Sequence, residues 1–588
     1  MTAEDIYPWS KDVRHSLTHI FKLKDFRRHQ LEAINTTLKG EDVFVLMPTG
    51  GGKSLCYQLP ATIQHVDNIG QQQFRRGVTM VVSPLISLMQ DQVQQLQRRG
   101  IAARLLNSAI GFEERRAVFS GLAGNPPELK LVYITPEMLQ RSNAFQDTLD
   151  RLYQRNLLAR FVIDEAHCVS QWGHDFRPDY KLLGNLKNQY PGVPIIALTA
   201  TANARVQKDL MYNLKIDGCK IFKQSFNRPN LKYEINEKCK RHQDRLEDIK
   251  NFIQTRYRNK CGIIYCSTKK QCEEVAQKLH EGYGIRALHY HAGMTQEERV
   301  ETQRKWQQNE YPVIVATVAF GMGIDKPDVR YVIHFVLASS VEGYYQETGR
   351  AGRDGLEATC RLYYYFGDTK THRTLIENGD GNFEQKKLQH DNLNFMIQYC
   401  ENKLDCRRKQ VLAYFGETFD ARHCRSPACD NCIENNGKQV IDKDVTNESK
   451  SIVQLLQSIL ALPITQSFSN NNNNNNNNNG HRITLIQLVS LFRGVANKTL
   501  KNKGYSSVAL YGQGENIMKN DATRLAQHLV SLNILKEYTE TNAGGYSTTY
   551  VTLGVKANNL LSDREKVVLR EIGVSQKKKK KKRRGGCF

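Results

Sequence analysis

The chain has 588 residues, 40% of them hydrophobic, and a formal charge of +23, so it is long enough for three or four separately cored domains and basic enough to expect a polyanionic partner. No run of 18 apolar residues occurs and Met1–Ser10 is acidic and polar, so neither a membrane span nor a secretory signal is expected. The fourteen cysteines are mostly isolated within apolar segments, which suits reduced thiols rather than a disulfide framework.

The first strong element is the apolar run Val43–Leu46, read as a buried strand, followed by Met47, Pro48, Thr49, Gly50, Gly51, Gly52, Lys53 and Ser54. Glycines there permit backbone angles that let successive N–H groups wrap a phosphate, and a helix is expected to start at Lys53. The Lys53 ammonium would face the β- and γ-phosphates of a nucleotide, and the Ser54 hydroxyl a magnesium ion. Met47 stands where the general phosphate-loop pattern has glycine.

Further strand-like runs at 78–82, 131–134, 161–163 and 195–198 alternate with amphipathic stretches, a parallel α/β pattern. The run 161–163 delivers Asp164 and Glu165 to its carboxyl end, where open parallel sheets bind ligands. Asp164 would hold Mg2+ through water, and Glu165 would polarise the attacking water. In the loop just behind them, Trp172, His174, Phe176 and Arg177 offer stacking faces and a cation for unpaired bases. Ser83, Pro84 and Ser87, with Thr135-Pro136-Glu137, occupy strand-to-helix turns suited to DNA phosphates.

The rhythm repeats with strands at 262–265, 286–289, 313–316, 331–335 and 361–365, but without a second phosphate loop. Tyr265–Thr268 and His291–Gly293 are read as backbone contacts matching those of the first lobe. After the fourth strand come Gln346, Arg350 and Arg353, the arginines three apart and expected on one helix-like face. If the lobes close on one nucleotide, these guanidiniums reach its γ-phosphate from the opposite side.

A helical segment, 382–415, leads into Cys406, Cys424, Cys429 and Cys432, spaced as four thiolates of a closed structural zinc site, with Cys400 as a spare candidate. From 520 a helix-like run precedes two strands, 535–540 and 546–553, joined by a tight turn. The ten asparagines Asn470–Asn479 cannot bury apolar area and read as a surface insertion. Lys577–Arg584 carries eight of the positive charges, leaving +15 on the remainder, and suits nuclear import or attraction to a DNA backbone.

Together QWGHDFRPDY (171–180), FRRHQ (26–30), LTATAN (198–203), FGMGIDKPDVR (320–330) and CRRKQVLAYFG (406–416) resemble the RecQ family of superfamily 2 helicases, in its Bloom-type branch, from about residue 18 to 560. The resemblance implies two tandem RecA-like parallel-sheet lobes, then a helical zinc-binding subdomain and a winged-helix domain. The corresponding boundaries are 1–205, 206–370, 371–440, 441–576 and a basic tail at 577–588. It implies that Arg27 and Gln30 read the adenine edge, that Asp325 lies near the ribose, and that Arg353 is the arginine finger with Arg350 beside it. It selects Cys406 over Cys400 and puts the winged-helix hairpin tip at a duplex end, with Asn542 and Tyr546 as contacts. The expected activity is ATP-dependent, magnesium-requiring 3′ to 5′ movement on single-stranded DNA and unwinding of duplex or branched DNA in the nucleus, in repair and recombination. Two other readings remain open: an RNA-unwinding enzyme, since Asp164–His167 is shared with RNA helicases, and a structure-specific DNA-binding protein with a vestigial ATPase.

Overall fold

The computed structural model describes residues 7–63, 77–170, 177–237, 241–318, 320, 326–436, 438, 440–462, 481–541 and 547–572. The chain divides into two compact units, one spanning 1–365, 381–392 and 408–427, the other 366–380, 393–407 and 428–588.

The first unit contains two parallel sheets. The first sheet comprises β1 (Val43–Leu46), β2 (Val78–Val82), β3 (Ala103–Leu106), β4 (Leu131–Ile134), β5 (Leu158–Ile163), β6 (Ile195–Thr199) and β7 (Lys220–Lys223). Their order is β3-β4-β2-β5-β6-β1-β7, so β6 lies between β1 and β5. Leu46 is in register with Thr199, and Ile163 with Ala197. The phosphate loop, the Thr199–Thr201 segment and the Asp164-Glu165 pair therefore emerge side by side at one end of the sheet. Strands β1, β2, β4, β5 and β6 are buried along their whole length, which is why each reads as an unbroken apolar run.

The second sheet comprises β8 (Leu231–Asn236), β9 (Gly262–Tyr265), β10 (Ala287–Tyr290), β11 (Val313–Ala316), β12 (Tyr331–His334) and β13 (Ala358–Tyr363), in the order β10-β11-β9-β12-β13-β8. All of its pairings are parallel. A core of Ile249, Ile264, Val275, Leu279, Val315 and Ile333 packs helices against this sheet.

The second unit packs the helices Thr446–Leu460, Leu485–Phe492 and Lys519–Ser531 around one apolar core that includes Ile452, Leu456, Leu488 and Leu529. Its strands are β14 (Val440–Asp444), β15 (Leu535–Thr541), β16 (Ser547–Leu553) and β17 (Val568–Ile572), with β15–β16 and β14–β17 each antiparallel. Three helices with an antiparallel hairpin form the winged helix. The expected single helical segment 382–415 is two helices, Phe383–Glu401 and Arg407–Tyr414. Asn402 causes the break: its Oδ1 accepts the Leu404 and Asp405 amides at 3.1 and 3.0 Å, an Asx turn that competes with helical pairing. Among the described residues no helix is long and apolar enough to cross a membrane.

Candidate nucleotide site between the two lobes

Gly50 and Gly52 have φ of 81° and 86°, a left-handed backbone that turns the chain back after β1. The Gly51 amide donates to the Pro48 carbonyl at 2.9 Å. The helix starts at Leu55 rather than Lys53, because residues up to Ser54 are still in the turn. Met47 is buried, and its N–H donates to the Thr199 carbonyl at 3.3 Å. The β1–β6 ladder thus runs one residue further, with no left-handed backbone at the position where glycine was expected.

Lys53 Nζ donates to the Met47 carbonyl at 3.1 Å and the Pro48 carbonyl at 3.5 Å. Burial lowers its pKa, while the nearby Glu165 and Asp164 carboxylates act in the opposite direction. Asp164 is raised to about 7, first by burial and then by the adjacent Glu165, with Lys53 opposing. Two acids held together out of water form a charge excess that a divalent cation would relieve.

Glu165 occupies left-handed backbone, φ 48°, a strained conformation for a side-chain-bearing residue. Its Oε2 is buried with no hydrogen-bond donor, and His167 Nδ1 lies 3.4 Å from it. These are donor sets suited to a magnesium ion and a water molecule.

Arg27 and Gln30 lie against the same loop. Arg27 donates to the Gly50 carbonyl, Gln30 Nε2 donates to the Gly52 carbonyl at 2.9 Å, and Gln30 Oε1 accepts the Arg27 amide at 2.7 Å. A Cβ on Gly52 would stand 2.3 Å from Gln30 Nε2 and push that side chain aside, and the left-handed backbone at φ 86° itself favours glycine.

From the second lobe, the helix Val341–Thr348 presents Gln346, whose Nε2 donates to Thr201 Oγ1 at 2.9 Å. The helix ends at Thr348, so Arg350 and Arg353 lie in the turns after it and do not share a helical face, contrary to the expectation from their spacing. They diverge. Arg350 is 6% exposed and its guanidinium donates to the Tyr265 hydroxyl. The Arg353 stem instead lies over the phosphate loop, its Cγ 3.6 Å from where a Gly50 Cβ would be. Arg353 is also close enough to help depress the Lys53 pKa.

Arg228, in the segment joining the lobes, was not singled out from sequence because it belongs to no periodic or glycine-rich pattern. Its guanidinium donates to the carbonyls of Thr49, Gly349, Ala351 and Gly352.

Of the residues expected at DNA, Ser83 is 1% exposed and its N–H donates to the Ile134 carbonyl at 3.1 Å. Neither its hydroxyl nor its amide faces solvent in this state. Arg177 donates to the Pro84 carbonyl at 3.2 Å, tying the end of the aromatic loop to that turn. The Thr135 and Thr268 hydroxyls cap helices by accepting the amides of Met138 and Gln271. His291 pairs with Glu273 at 2.9 Å, and its Nδ1 accepts the Gly293 amide. Trp172, His174, Phe176, Asp325, Asn542, Tyr546, the asparagine tract and the basic tail lie outside the described residues.

Among the described residues one group of metal-ligating side chains gathers: Cys406, Cys424, Cys429 and Cys432, with sulfurs within 4.8 Å of one another. That spacing fits a tetrahedral ion with metal–sulfur bonds of about 2.3 Å. The Arg407 amide donates to Cys429 Sγ at 3.4 Å, which orients that sulfur within the group. Cys400 lies in the preceding helix, outside the group.

Four family descriptions match in chain order: DEAD/DEAH box helicase at 27–210, helicase conserved C-terminal domain at 244–355, RecQ zinc-binding at 366–433 and RQC domain at 439–579. The chain is 47% identical over 565 residues to "ATP-dependent DNA helicase hus2/rqh1" of Schizosaccharomyces pombe, covering 96% of this chain and 40% of that protein. It is 43% identical over 569 residues to "RecQ-like DNA helicase BLM" of Xenopus laevis, covering 95% and 39%. It is 39% identical over 569 residues to "ATP-dependent DNA helicase Q1" of Rattus norvegicus, covering 97% and 84%. The chain thus spans about two fifths of the length of the first two relatives and most of the third. The chain belongs to the RecQ helicase family.

Proposed function

We propose that the chain is an ATP-dependent 3′ to 5′ DNA helicase that moves on single-stranded DNA and unwinds duplex or branched DNA, working in the nucleus in repair and recombination. The supporting observation is that the Arg353 side chain of the second lobe lies over Gly50 of the phosphate loop, with Lys53 within electrostatic reach of that arginine and of the Asp164-Glu165 pair. One triphosphate in this cleft would meet donors from both lobes, so binding it would favour closure.

In this reading Lys53 leaves its own loop carbonyls for the β- and γ-phosphates. Ser54 and Asp164 would hold a magnesium ion, which neutralises triphosphate charge. Glu165 accepts a proton from the attacking water; its buried, bond-free Oε2 suits that task. Arg353 stabilises charge on the transferred phosphoryl, and Arg350 holds the neighbouring turn. Arg27 and Gln30 read the base, and Asp325 lies near the ribose. Arg177 and the aromatic loop residues Trp172, His174 and Phe176 take the single strand, with the hairpin residues Asn542 and Tyr546 at further DNA contacts; Ser83 joins them only if its buried turn opens. The domain division at 205, 370, 440 and 576 belongs to the same proposal. RQC and zinc-binding segments beside the motor favour DNA over RNA.

Strand displacement with ATP and Mg2+ on 3′-tailed DNA, 5′-tailed DNA and an RNA duplex tests it. Activity confined to 3′-tailed DNA is expected. Preference for RNA, or none of the three displaced despite DNA binding, would favour the RNA-unwinding or vestigial-ATPase reading respectively.

A further inference from the structure

The segment 224–230 joins two edge strands. It leaves β7, which pairs with the phosphate-loop strand β1, and enters β8, which pairs with β13 directly after the arginine-bearing turn. Leu231 is in register with Ala358, which brings residues 228–230 alongside the segment that leads from the arginine-bearing turn into β13. Arg228 uses this position fully. One terminal nitrogen donates to the Thr49 and Gly349 carbonyls at 3.2 and 3.1 Å, and the other to those of Ala351 and Gly352 at 2.9 and 3.0 Å. Four carbonyl acceptors from two lobes match a planar guanidinium with donors in a fixed fork, a geometry an ammonium cannot reproduce.

Two neighbours support the same clamp. Asn230 Nδ2 donates to the Gly352 and Leu356 carbonyls, both at 2.8 Å. Gly352 has φ 55°, and a Cβ there would stand 2.5 Å from Asn230 Nδ2, so the turn carrying Arg353 can approach the linker only as glycine. The linker itself is anchored: the Phe226 carbonyl accepts the Tyr345 hydroxyl at 2.8 Å, its amide donates to Glu417 at 2.8 Å, and its ring stacks on Phe415 at 4.5 Å.

We propose that Arg228 is a positioning residue for Arg353: it fastens the arginine-bearing turn to Thr49 of the phosphate loop, so that closing the lobes and aiming the finger are one event. Arg228 does not act on nucleotide; it acts through Arg353. This rests on the reading of Arg353 as the arginine finger.

The test is a double-mutant cycle on the full zinc-loaded chain, measuring DNA-stimulated ATP hydrolysis for Arg228→Gln, Arg353→Ala and both together. Arg228→Gln is expected to lower kcat about 100-fold, as expected for a misplaced catalytic group, with little change in KM for ATP. The double variant should be no slower than Arg353→Ala alone. Normal kcat in Arg228→Gln, or losses that multiply in the double variant, would overturn the proposal. Should Arg228→Gln fail to fold, Asn230→Ala carries the same cycle: a kcat loss that vanishes in the Arg353→Ala background supports the clamp, and multiplying losses or none overturn it. Full turnover in Arg353→Ala would instead overturn the underlying finger assignment, an outcome read independently of Arg228.

Discussion

Gln346 of the second lobe donates to Thr201 of the first at 2.9 Å, and this bond continues inward. The Thr201 amide donates to Thr199 Oγ1 at 3.2 Å, that hydroxyl pairs with His167 Nδ1 at 2.9 Å, and the same ring nitrogen lies 3.4 Å from Glu165 Oε2. A run of polar contacts, its last step a 3.4 Å approach rather than a hydrogen bond, therefore leads from the second lobe to the acid proposed to polarise water. Buried chains of this kind respond as units. Gln346→Ala should leave ATP affinity nearly unchanged while removing about 1–3 kcal/mol of coupling, a roughly 5- to 150-fold loss of DNA stimulation. Hydrolysis measured with and without single-stranded DNA checks this; full stimulation in the variant would count against coupling through Gln346.

Gly52→Ala should weaken nucleotide binding more than it lowers stability. Its φ of 86° disfavours any side chain, and the added Cβ would displace Gln30 from the loop. Such positive-φ substitutions cost more than about 1 kcal/mol where the backbone cannot relax. Titration with a fluorescent ATP analogue, beside a melting curve, separates the two effects.

The cysteine cluster predicts that Cys432→Ser, at the half-buried ligand, loses bound zinc and lowers the melting temperature. A chelator should do the same to the unaltered chain, because ligand gathering and local folding share one free energy. Metal analysis with calorimetry reads both; retained zinc in the serine variant would exclude Cys432 as a ligand.

Within the second unit, Arg373 and Glu537 pair at 3.4 Å with side chains only 7% and 9% exposed. Burial raises the Glu537 pKa, and Arg373 limits that rise. A folded-state pKa above the unfolded one means that ionisation of Glu537 opposes folding as pH rises. In Arg373→Met the rise is unopposed, so the destabilisation should be larger at about pH 8 than at about pH 5, approaching about 3 kcal/mol. Denaturant melts at the two pH values decide it; equal losses would mean that Arg373 contributes packing alone.

Much of the first unit was legible in the sequence because strands buried on both faces are unbroken apolar runs: Val43–Leu46, Val78–Val82 and Leu131–Ile134 were expected with the bounds observed. Strands β3 (ARLL), β7 (KIFK) and β8 (LKYEIN) carry no unbroken apolar run. They sit at sheet edges, where a charged or polar residue costs little and the apolar run is interrupted. The arginine spacing misled for a related reason: a three-residue separation signals a shared face only while the helix continues, and this one stops at Thr348. Arg228 had no local signal, since all four of its acceptors are fixed by strand pairing and lobe contact more than 100 residues away in sequence.

The most direct test is the turnover number of Arg353→Ala, with ATP affinity and single-stranded DNA binding measured on the same preparation. A finger that completes a shared cleft predicts a kcat loss of about a thousandfold or more while both affinities stay near those of the unaltered chain. Undiminished DNA-stimulated hydrolysis would show that the second lobe contributes no charge to the reaction, contradicting the account of a single triphosphate held between Lys53 and Arg353.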